Sequence, residues 1–446
     1  MVRTLLYYTC AVSSRRVQRA LTWVAVVALA TVPVAARQPA AVIPADVAAL
    51  TAGLEERRET FQPETLPALR PVELRFFFKP GPPEQQQRLV VGTHAALRRL
   101  SEWFGAFPSS QLTIIDADWR SPWVGAAYPG TVVVASRWIA PERDGSIDRL
   151  LIGAIARQYW FGVIAPDPAL GWFEEGLMQY VGGRAIDTEL EGRQFWSASY
   201  LGDFIPFPIR SLPLSPATAD ARPRLRQFDE LERPAGAPWR RPASGGEVRR
   251  TATAFYTLER FLGWPALQQG LEVFRARFRS GGATPADLAA ILSEQRGADL
   301  SWFFDEAFRF GAQFDYAIDR FTSVPDGTQH RISLQLRRHG EAVFAGTAAP
   351  RGTFPARSLD VSIELGDGTH LREWWDGRDA VLDLDYLSAA PAVRASVDPG
   401  AILLLDTVPS NNTRSLRREL HTEGVRATLS WVIWLQNIML TWSGLV

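Results

Sequence analysis

The chain has 446 residues, which is enough for about two or three domains with a sizeable hydrophobic core. Hydrophobic residues make up 46% of it and charged residues 22%, the composition of an ordinary globular protein. The 48 basic and 48 acidic side chains cancel, and this neutral balance argues against a nucleic-acid partner.

Residues 1–36 are typical of a secretory signal peptide. An arginine-rich stretch precedes an apolar run at residues 20–32, and small or aliphatic side chains lead to a predicted cleavage after Ala36. The alternative is an anchor helix that is not cleaved. The single cysteine, Cys10, lies within this segment, so the mature chain would contain no disulfide. The segment predicts a secreted or periplasmic protein.

A linker or lead-in is predicted over residues 37–71, with a short helical piece near 47–59. The first folded domain is predicted over residues 72–312. It begins with a strand at 72–79, a helix at 85–107 and a strand at 111–116. The sequence GAAYPG at 125–130 then turns the chain into a further strand.

A helix, a tight loop and a second helix are predicted over residues 148–183, where apolar side chains recur at helical spacing. Pro166 and Pro168 in the loop end the first helix. The segment WFG stands at residues 160–162, and WFEEG stands at 172–176.

More helices are predicted downstream, and Thr284 is expected to cap one of them, with Pro285 at its first helical position. They cover residues 186–201, 248–278 (split at 263–265), 284–295 and 299–310. Between them, the Pro- and Arg-rich residues 206–242 are expected to form an irregular insertion with a short helix near 225–231.

From residue 313 to 410 the pattern changes to short alternating runs separated by turn signals, which predicts a small antiparallel β-sandwich. The predicted strands lie at residues 316–322, 330–338, 357–365, 370–375, 380–384, 393–397 and 402–405.

A C-terminal helical tail is predicted over residues 411–446, and residues 427–446 carry no charge. Three interpretations remain open: a helix that docks on the protein itself, a helix in a membrane interface, and a membrane-spanning anchor.

The WFG and WFEEG segments resemble the zinc aminopeptidases of the membrane alanyl type, which are gluzincins with an H-E-x-x-H helix. The helical segment at residues 255–278 resembles the same family. The resemblance implies an α+β fold: a thermolysin-like peptidase domain with a small mixed sheet and a helical bundle, followed by the β-sandwich and the C-terminal helix. It covers only the peptidase-like part of the chain.

The resemblance also implies where the family's site would lie. The zinc-binding pentad falls on residues 154–158, so Ala154 and Gln158 replace the two histidines and Ile155 replaces the general base. Only Glu175 matches a zinc ligand. Ala127 replaces the glutamate that grips the substrate's α-amine, and Val248 replaces the tyrosine that stabilises the tetrahedral intermediate.

These replacements predict a protein without the catalytic zinc of the family. A catalytic zinc needs three protein ligands and an open position for water, and without it no hydroxide forms near neutral pH. No H-E-x-x-H is present anywhere in the sequence, and the histidines are scattered through it: His94, His330, His339, His370 and His421. We therefore expect no metal cofactor.

The leading hypothesis is a secreted, catalytically inactive relative of these aminopeptidases that binds a peptide or a protein. The candidate binding residues are Glu175, Glu174, Gln158, Arg157 and Tyr128. Gln158 or Arg157 is expected to hydrogen-bond the Glu175 carboxylate. One alternative is a hydrolase that uses carboxylates such as Glu174, Glu175 and Asp167 as acid and base. Another is a structural envelope protein tethered by its tail.

Overall fold

The computed structural model describes residues 50–62, 69–118, 121, 127–135, 146–164, 168–189, 245–309, 311–344 and 359–416. The predicted signal peptide, the predicted insertion and residues 417–446 of the predicted tail lie outside these ranges, as do Asp167 and residues 190–244. Within the described part of the chain, no helix combines the length and apolar character needed to cross a membrane.

A five-stranded mixed sheet opens the described structure, in the order β1-β2-β3-β5-β4. Strands β2 and β3 are parallel, as are β3 and β5, whereas the two outer strands are antiparallel to their neighbours. The strands are β1 (Glu55–Phe61), β2 (Val72–Phe78), β3 (Gln111–Asp116), β4 (Ala127–Tyr128) and β5 (Thr131–Val134).

Strand β1 corrects the sequence-based assignment of residues 37–71 as a lead-in with a helical piece. Residues 55–61 instead pair along their whole length with β2. Their side chains are mostly charged and exposed, and Glu56 forms an ion pair with Arg75 over 2.8 Å across the two strands. A charged edge strand of this kind discourages pairing with another chain.

Helix α1 (Pro83–Phe104) connects the parallel strands β2 and β3 and packs on one face of the sheet. Alternate residues of β2, such as Leu74 and Phe76, point into this core, where both are fully buried. Leu97 and Leu100 of α1 lie in the same hydrophobic cluster.

The helical part follows the sheet. Its helices are α2 (Ser146–Gln158), α3 (Gly171–Glu189), α4 (Gly245–Leu262), α5 (Trp264–Arg277), α6 (Pro285–Arg296) and α7 (Ser301–Ala307). A 3₁₀ turn at Pro168–Leu170 precedes α3. The predicted break between α4 and α5 is confirmed, because Gly263 separates them with a φ of 84°.

The predicted capping of α6 is also confirmed. The Thr284 hydroxyl accepts a hydrogen bond from the backbone N–H of Asp287, and the Asp287 carboxylate accepts one from the backbone N–H of Thr284. This reciprocal pair is a capping box, and it satisfies backbone donors that the helix itself leaves without partners.

Two antiparallel sheets form the C-terminal part, in the orders β10-β7-β6 and β12-β11-β8-β9. Inward side chains of both sheets join one hydrophobic cluster, as a sandwich requires. The strands are β6 (Tyr316–Asp326), β7 (Gln329–Arg338), β8 (Leu359–Leu365), β9 (His370–Trp375), β10 (Val381–Ser388), β11 (Ala392–Val397) and β12 (Thr413–Ser415).

The strand predicted at residues 402–405 is wrong. This segment is an irregular turn in which the Asp398 carboxylate accepts hydrogen bonds from the N–H groups of Ile402 and Leu403, each over 2.8 Å. Leu403, Leu404 and Leu405 are all buried. An apolar run of this kind resembles a strand in the sequence, although the segment forms none. Strand β12, which lies within the predicted tail, was not predicted.

Candidate functional site

The first side of the candidate site is the last turns of helix α2. Ala154 and Gln158 are 6% and 4% exposed, and Ile155 is fully buried. The side chains at the three positions that the resemblance assigns to the first ligand, the base and the second ligand are therefore packed into the protein interior. None of the three lies open to solvent as a water-activating group would.

The WFG segment that follows α2 packs into the hydrophobic core through Trp160. Trp160 is fully buried, and its ring lies 5.6 Å from that of Phe104 in helix α1. Gly162 has a φ of 74°, a conformation that favours glycine, and so permits the chain to turn away. The motif thus positions the end of α2.

Gln158 makes three hydrogen bonds to the backbone around strand β4. Its Oε1 atom accepts from the N–H of Gly130 over 2.8 Å, and its Nε2 atom donates to the carbonyl oxygens of Tyr128 at 2.9 Å and Thr131 at 3.3 Å. The amide is thereby engaged on both its oxygen and its nitrogen.

These bonds correct the expectation that Gln158 hydrogen-bonds Glu175. The Gln158 side chain points at the hairpin formed by β4 and β5, where the backbone offers both a donor and acceptors. The structure nevertheless brings together Gln158 and Ala127, two positions that the sequence comparison placed in one site, because Ala127 lies on the strand that Gln158 holds.

Strand β4 is an edge of the mixed sheet, and its Tyr128 is half-buried. Burial raises the pKa of the Tyr128 hydroxyl above its usual value. The following Pro129 and Gly130 form the turn into β5, where Gly130 has a φ of 72°. The sequence-based interpretation of this segment as a turn into a strand is confirmed.

The first turn of helix α3 contributes two carboxylates. Trp172 and Phe173 are buried and pack against Phe308 with ring separations of 5.1 and 6.0 Å, which fixes the start of the helix. Glu174 and Glu175, which follow in the sequence, are only half-buried. The carboxylates therefore stand at the boundary between core and solvent.

Burial raises the pKa of the Glu175 carboxyl above its usual value. The positive charge of Arg157 opposes this shift and the negative charge of Glu174 adds to it. Arg157 lies in the last turn of α2, so the two helices bring a cation and two acids into electrostatic contact. The interaction between Arg157 and Glu175 is electrostatic, and the expected hydrogen bond between them stays a prediction.

Helix α4 closes the other side of α3. A Cβ atom added to Gly176 would lie 2.4 Å from the Thr251 Cβ and 3.0 Å from the Val248 carbonyl oxygen. The backbone of Val248 therefore lies beside Gly176, the residue that follows Glu175. Val248 carries no hydroxyl to stabilise an oxyanion.

Tyr256 of helix α4 is a core residue. It is 7% exposed, and its ring lies 4.8 Å from that of Tyr180 in a T-shaped arrangement within the core.

Sequence reasoning missed a buried polar group farther along α3. The Tyr180 hydroxyl donates to the Glu259 carboxylate over 2.7 Å, and Arg184 forms an ion pair with the same carboxylate over 2.9 Å. The Arg184 guanidinium also lies 4.8 Å from the Trp264 ring centroid. Tyr180 and Arg184 stand four residues apart and so share a helix face, but the sequence gives no sign that Glu259 is their partner.

The residues that the motif resemblance assigns to the zinc position do not have the side chains that a zinc ion needs. Ala154 has no donor atom, both polar atoms of Gln158 bind the backbone, and Glu175 alone supplies one oxygen. Zinc sites use three or four side chains from His, Cys, Asp and Glu. Across the described ranges, no group of three or more such residues is arranged to hold a metal ion.

Comparison with known proteins gives partial likenesses only. No protein-family model matches the sequence, and no curated protein matches it either. Aminopeptidase A of Legionella pneumophila, solved with aspartic acid, is 14% identical with a TM-score of 0.49. The likeness covers 75% of this chain and 36% of that protein.

An M1 zinc metallopeptidase from Deinococcus radiodurans is 19% identical with a TM-score of 0.39, over 57% of this chain and 51% of that one. A single-residue mutant of the same metallopeptidase gives the same identity and TM-score over 52% of its length. The chain thus spans between about a third and a half of the length of these solved proteins.

Proposed function

We propose that this chain is a peptidase-like scaffold that binds a peptide or protein segment and does not hydrolyse it through zinc. One observation carries the proposal: the amide of Gln158, at the position of a metal ligand, is committed to the backbone of the hairpin around Gly130. The class of protein is inferred from the motif resemblance. The loss of the metal is inferred from the lack of zinc-binding donor atoms at the assigned positions.

The ligand would lie along the rim of the site, because the floor at Ala154 and Ile155 is buried. The rim offers a cation at Arg157, the carboxylates of Glu174 and Glu175, and the phenol of Tyr128. Groups of both charge signs next to an edge strand suit a peptide, which carries main-chain donors and acceptors and charged termini.

A peptide-binding screen against the purified chain tests this proposal. We expect saturable binding of some peptides, weakened by Arg157→Ala and by Glu175→Gln, with no cleavage of the bound peptide. The substitution Arg296→Ala, at the far end of α6, serves as a matched control. Elemental analysis after incubation with zinc and desalting should find much less than one zinc per chain; stoichiometric zinc together with zinc-dependent cleavage would overturn the proposal.

A second candidate is a metal-free hydrolase centred on Glu175. The observation that favours it is the raised pKa of this half-buried carboxyl, since an acid with a raised pKa is better suited to proton transfer near neutral pH. Glu175→Gln should then abolish a measured hydrolysis that Glu174→Gln leaves largely intact. Equal activity of wild type and Glu175→Gln would reject this candidate.

We further propose that the mature protein acts outside the cytoplasm, on the basis of the signal-like residues 1–36. Cell fractionation should find it in the secreted or periplasmic fraction and should find a variant without residues 1–36 in the cytoplasm. Deletion of residues 428–446 distinguishes a structural protein that is tethered by its tail from a protein that is free of the membrane. Only a tethered protein would move from the membrane to the soluble fraction.

A further inference from the structure

The turn between β4 and β5 lies under the end of helix α2. Tyr128 and Thr131 are paired across the turn, and Gly130 stands between them with a φ of 72°. The side chain that covers the turn, Gln158, is 4% exposed. Backbone groups covered in this way lose their access to water and need protein partners.

Gln158 provides those partners with one planar amide. Its oxygen faces a backbone donor, the N–H of Gly130, and its nitrogen faces two backbone acceptors, the carbonyls of Tyr128 and Thr131. Glutamine carries a donor group and an acceptor on one planar amide, which is the combination that this turn requires. An ionised glutamate only accepts, methionine is at most a weak acceptor, and a neutral histidine has its donor and acceptor on different sides of the ring.

We propose that Gln158 is the positioning residue of the binding site: it clamps the Tyr128–Thr131 turn to helix α2 and so fixes the distance between the edge strand and the helix rim. This inference rests on the proposed function, since it assigns Gln158 the task of holding Tyr128 in place relative to Arg157 and Glu175. It also explains why the position of a metal ligand no longer faces the site.

The clamp makes a prediction that needs no ligand. In Gln158→Met, a substitution of similar length without the amide, the Gly130 N–H should exchange with solvent on the order of tenfold faster, as expected for one lost hydrogen bond. Gln158→Glu keeps an acceptor for the Gly130 N–H and should retain more of the protection. The control Gln268→Met removes a single bond to the Trp103 carbonyl and should leave Gly130 exchange unchanged.

Amide exchange resolved at Gly130 gives the deciding result. Unchanged exchange at Gly130 in Gln158→Met would overturn the clamp, and so would an equal acceleration at Gly130 and at distant core amides such as Leu271, which would indicate general destabilisation. Should Gln158→Met fail to fold, the wild type is compared with Gln158→Glu, which cannot donate to the Tyr128 and Thr131 carbonyls. The clamp then predicts less protection of the Gly130 N–H in the variant than in the wild type. A space-filling role predicts equal protection in both.

The positioning role is tested with a peptide that the wild type binds. We expect Gln158→Met to weaken its affinity on the order of tenfold and Gln268→Met to leave it unchanged. Faster Gly130 exchange with unaltered affinity would overturn the positioning role. A wild type that binds no peptide would remove the proposed function and with it the positioning role, whereas the exchange measurement would still report on the clamp.

Discussion

Gly176 and Thr251 are in direct contact where helices α3 and α4 pack together, one residue after Glu175. A methyl group at Gly176 would meet the Thr251 Cβ at 2.4 Å and Cγ2 at 2.5 Å. The last residue of the WFEEG segment is therefore fixed by packing, and it holds the helix that carries both candidate carboxylates.

The first prediction concerns Gly176→Ala. Although alanine is the better helix former, the clash with Thr251 must push α3 and α4 apart, and we expect a net loss of about 1–3 kcal/mol in the free energy of unfolding. Urea unfolding provides the measurement. The control is Gly153→Ala in α2, where a Cβ meets nothing within 4 Å and the helix should gain up to about 1 kcal/mol. A neutral or stabilising effect of Gly176→Ala would contradict the packing argument.

The second prediction concerns the pH dependence linked to Glu175. Its folded-state pKa is raised, so between its usual pKa and the folded value the folded protein holds a proton that the unfolded chain has released. The free energy of unfolding should fall as the pH rises through this window and level off above it. Glu175→Gln should remove this fall, and Arg157→Ala should enlarge it because the opposing positive charge is lost.

Thermal unfolding between pH 4 and 8 measures this effect. Glu174→Gln is a useful comparison, since loss of the neighbouring negative charge should make the fall smaller without abolishing it. Identical pH profiles for wild type and Glu175→Gln would show that the carboxyl has an ordinary pKa in the folded protein.

The third prediction concerns Asp406 in the β-sandwich part. Burial raises its pKa from 3.8 to about 6, although hydrogen bonds from the Asn412 side chain and from the N–H groups of Val408 and Tyr316 stabilise the charged form. As the pH rises through this range, the protein should lose about 3 kcal/mol of its free energy of unfolding, since two units of pKa correspond to this amount.

Asp406→Asn mimics the protonated carboxyl and should flatten this part of the profile. Chemical unfolding at pH 4 and at pH 7 gives the measurement: between these values the wild type should lose stability relative to Asp406→Asn. Should the two proteins lose equal stability between these values, Asp406 would not be responsible. The effect should add to that of Glu175→Gln if the two groups are independent.

The fourth prediction concerns the capping box of α6. Thr284→Ala should cost about 1 kcal/mol, because the backbone N–H of Asp287 loses its acceptor. Asp287→Ala should have a similar cost through the N–H of Thr284. The double variant should lose less than the sum of both, since the two side chains act as one unit. Full additivity in urea unfolding would argue against a reciprocal cap.

The elements that the sequence predicted well depend on near neighbours in the chain. The capping of α6 by Thr284, the break between α4 and α5 at Gly263, and strand β3 over residues 111–116 all follow from turn chemistry, helix propensity or apolar spacing within a few residues. Strand β1 was missed for the opposite reason: its charged residues 55–61 show no apolar alternation, and only pairing with β2 makes them a strand.

By itself, the sequence determined which side chains stand beside its WFG and WFEEG segments, and its resemblance to the zinc aminopeptidases predicted that Ala154, Ile155, Ala127 and Val248 replace that family's donor atoms. The tertiary structure decided what the remaining polar side chains do. Gln158 binds backbone groups that lie 27 to 30 residues earlier in the chain, and Arg157 opposes the charge of Glu175 across two helices. Such partners are chosen by packing between distant segments, and the spacing of residues along one segment carries no information about them.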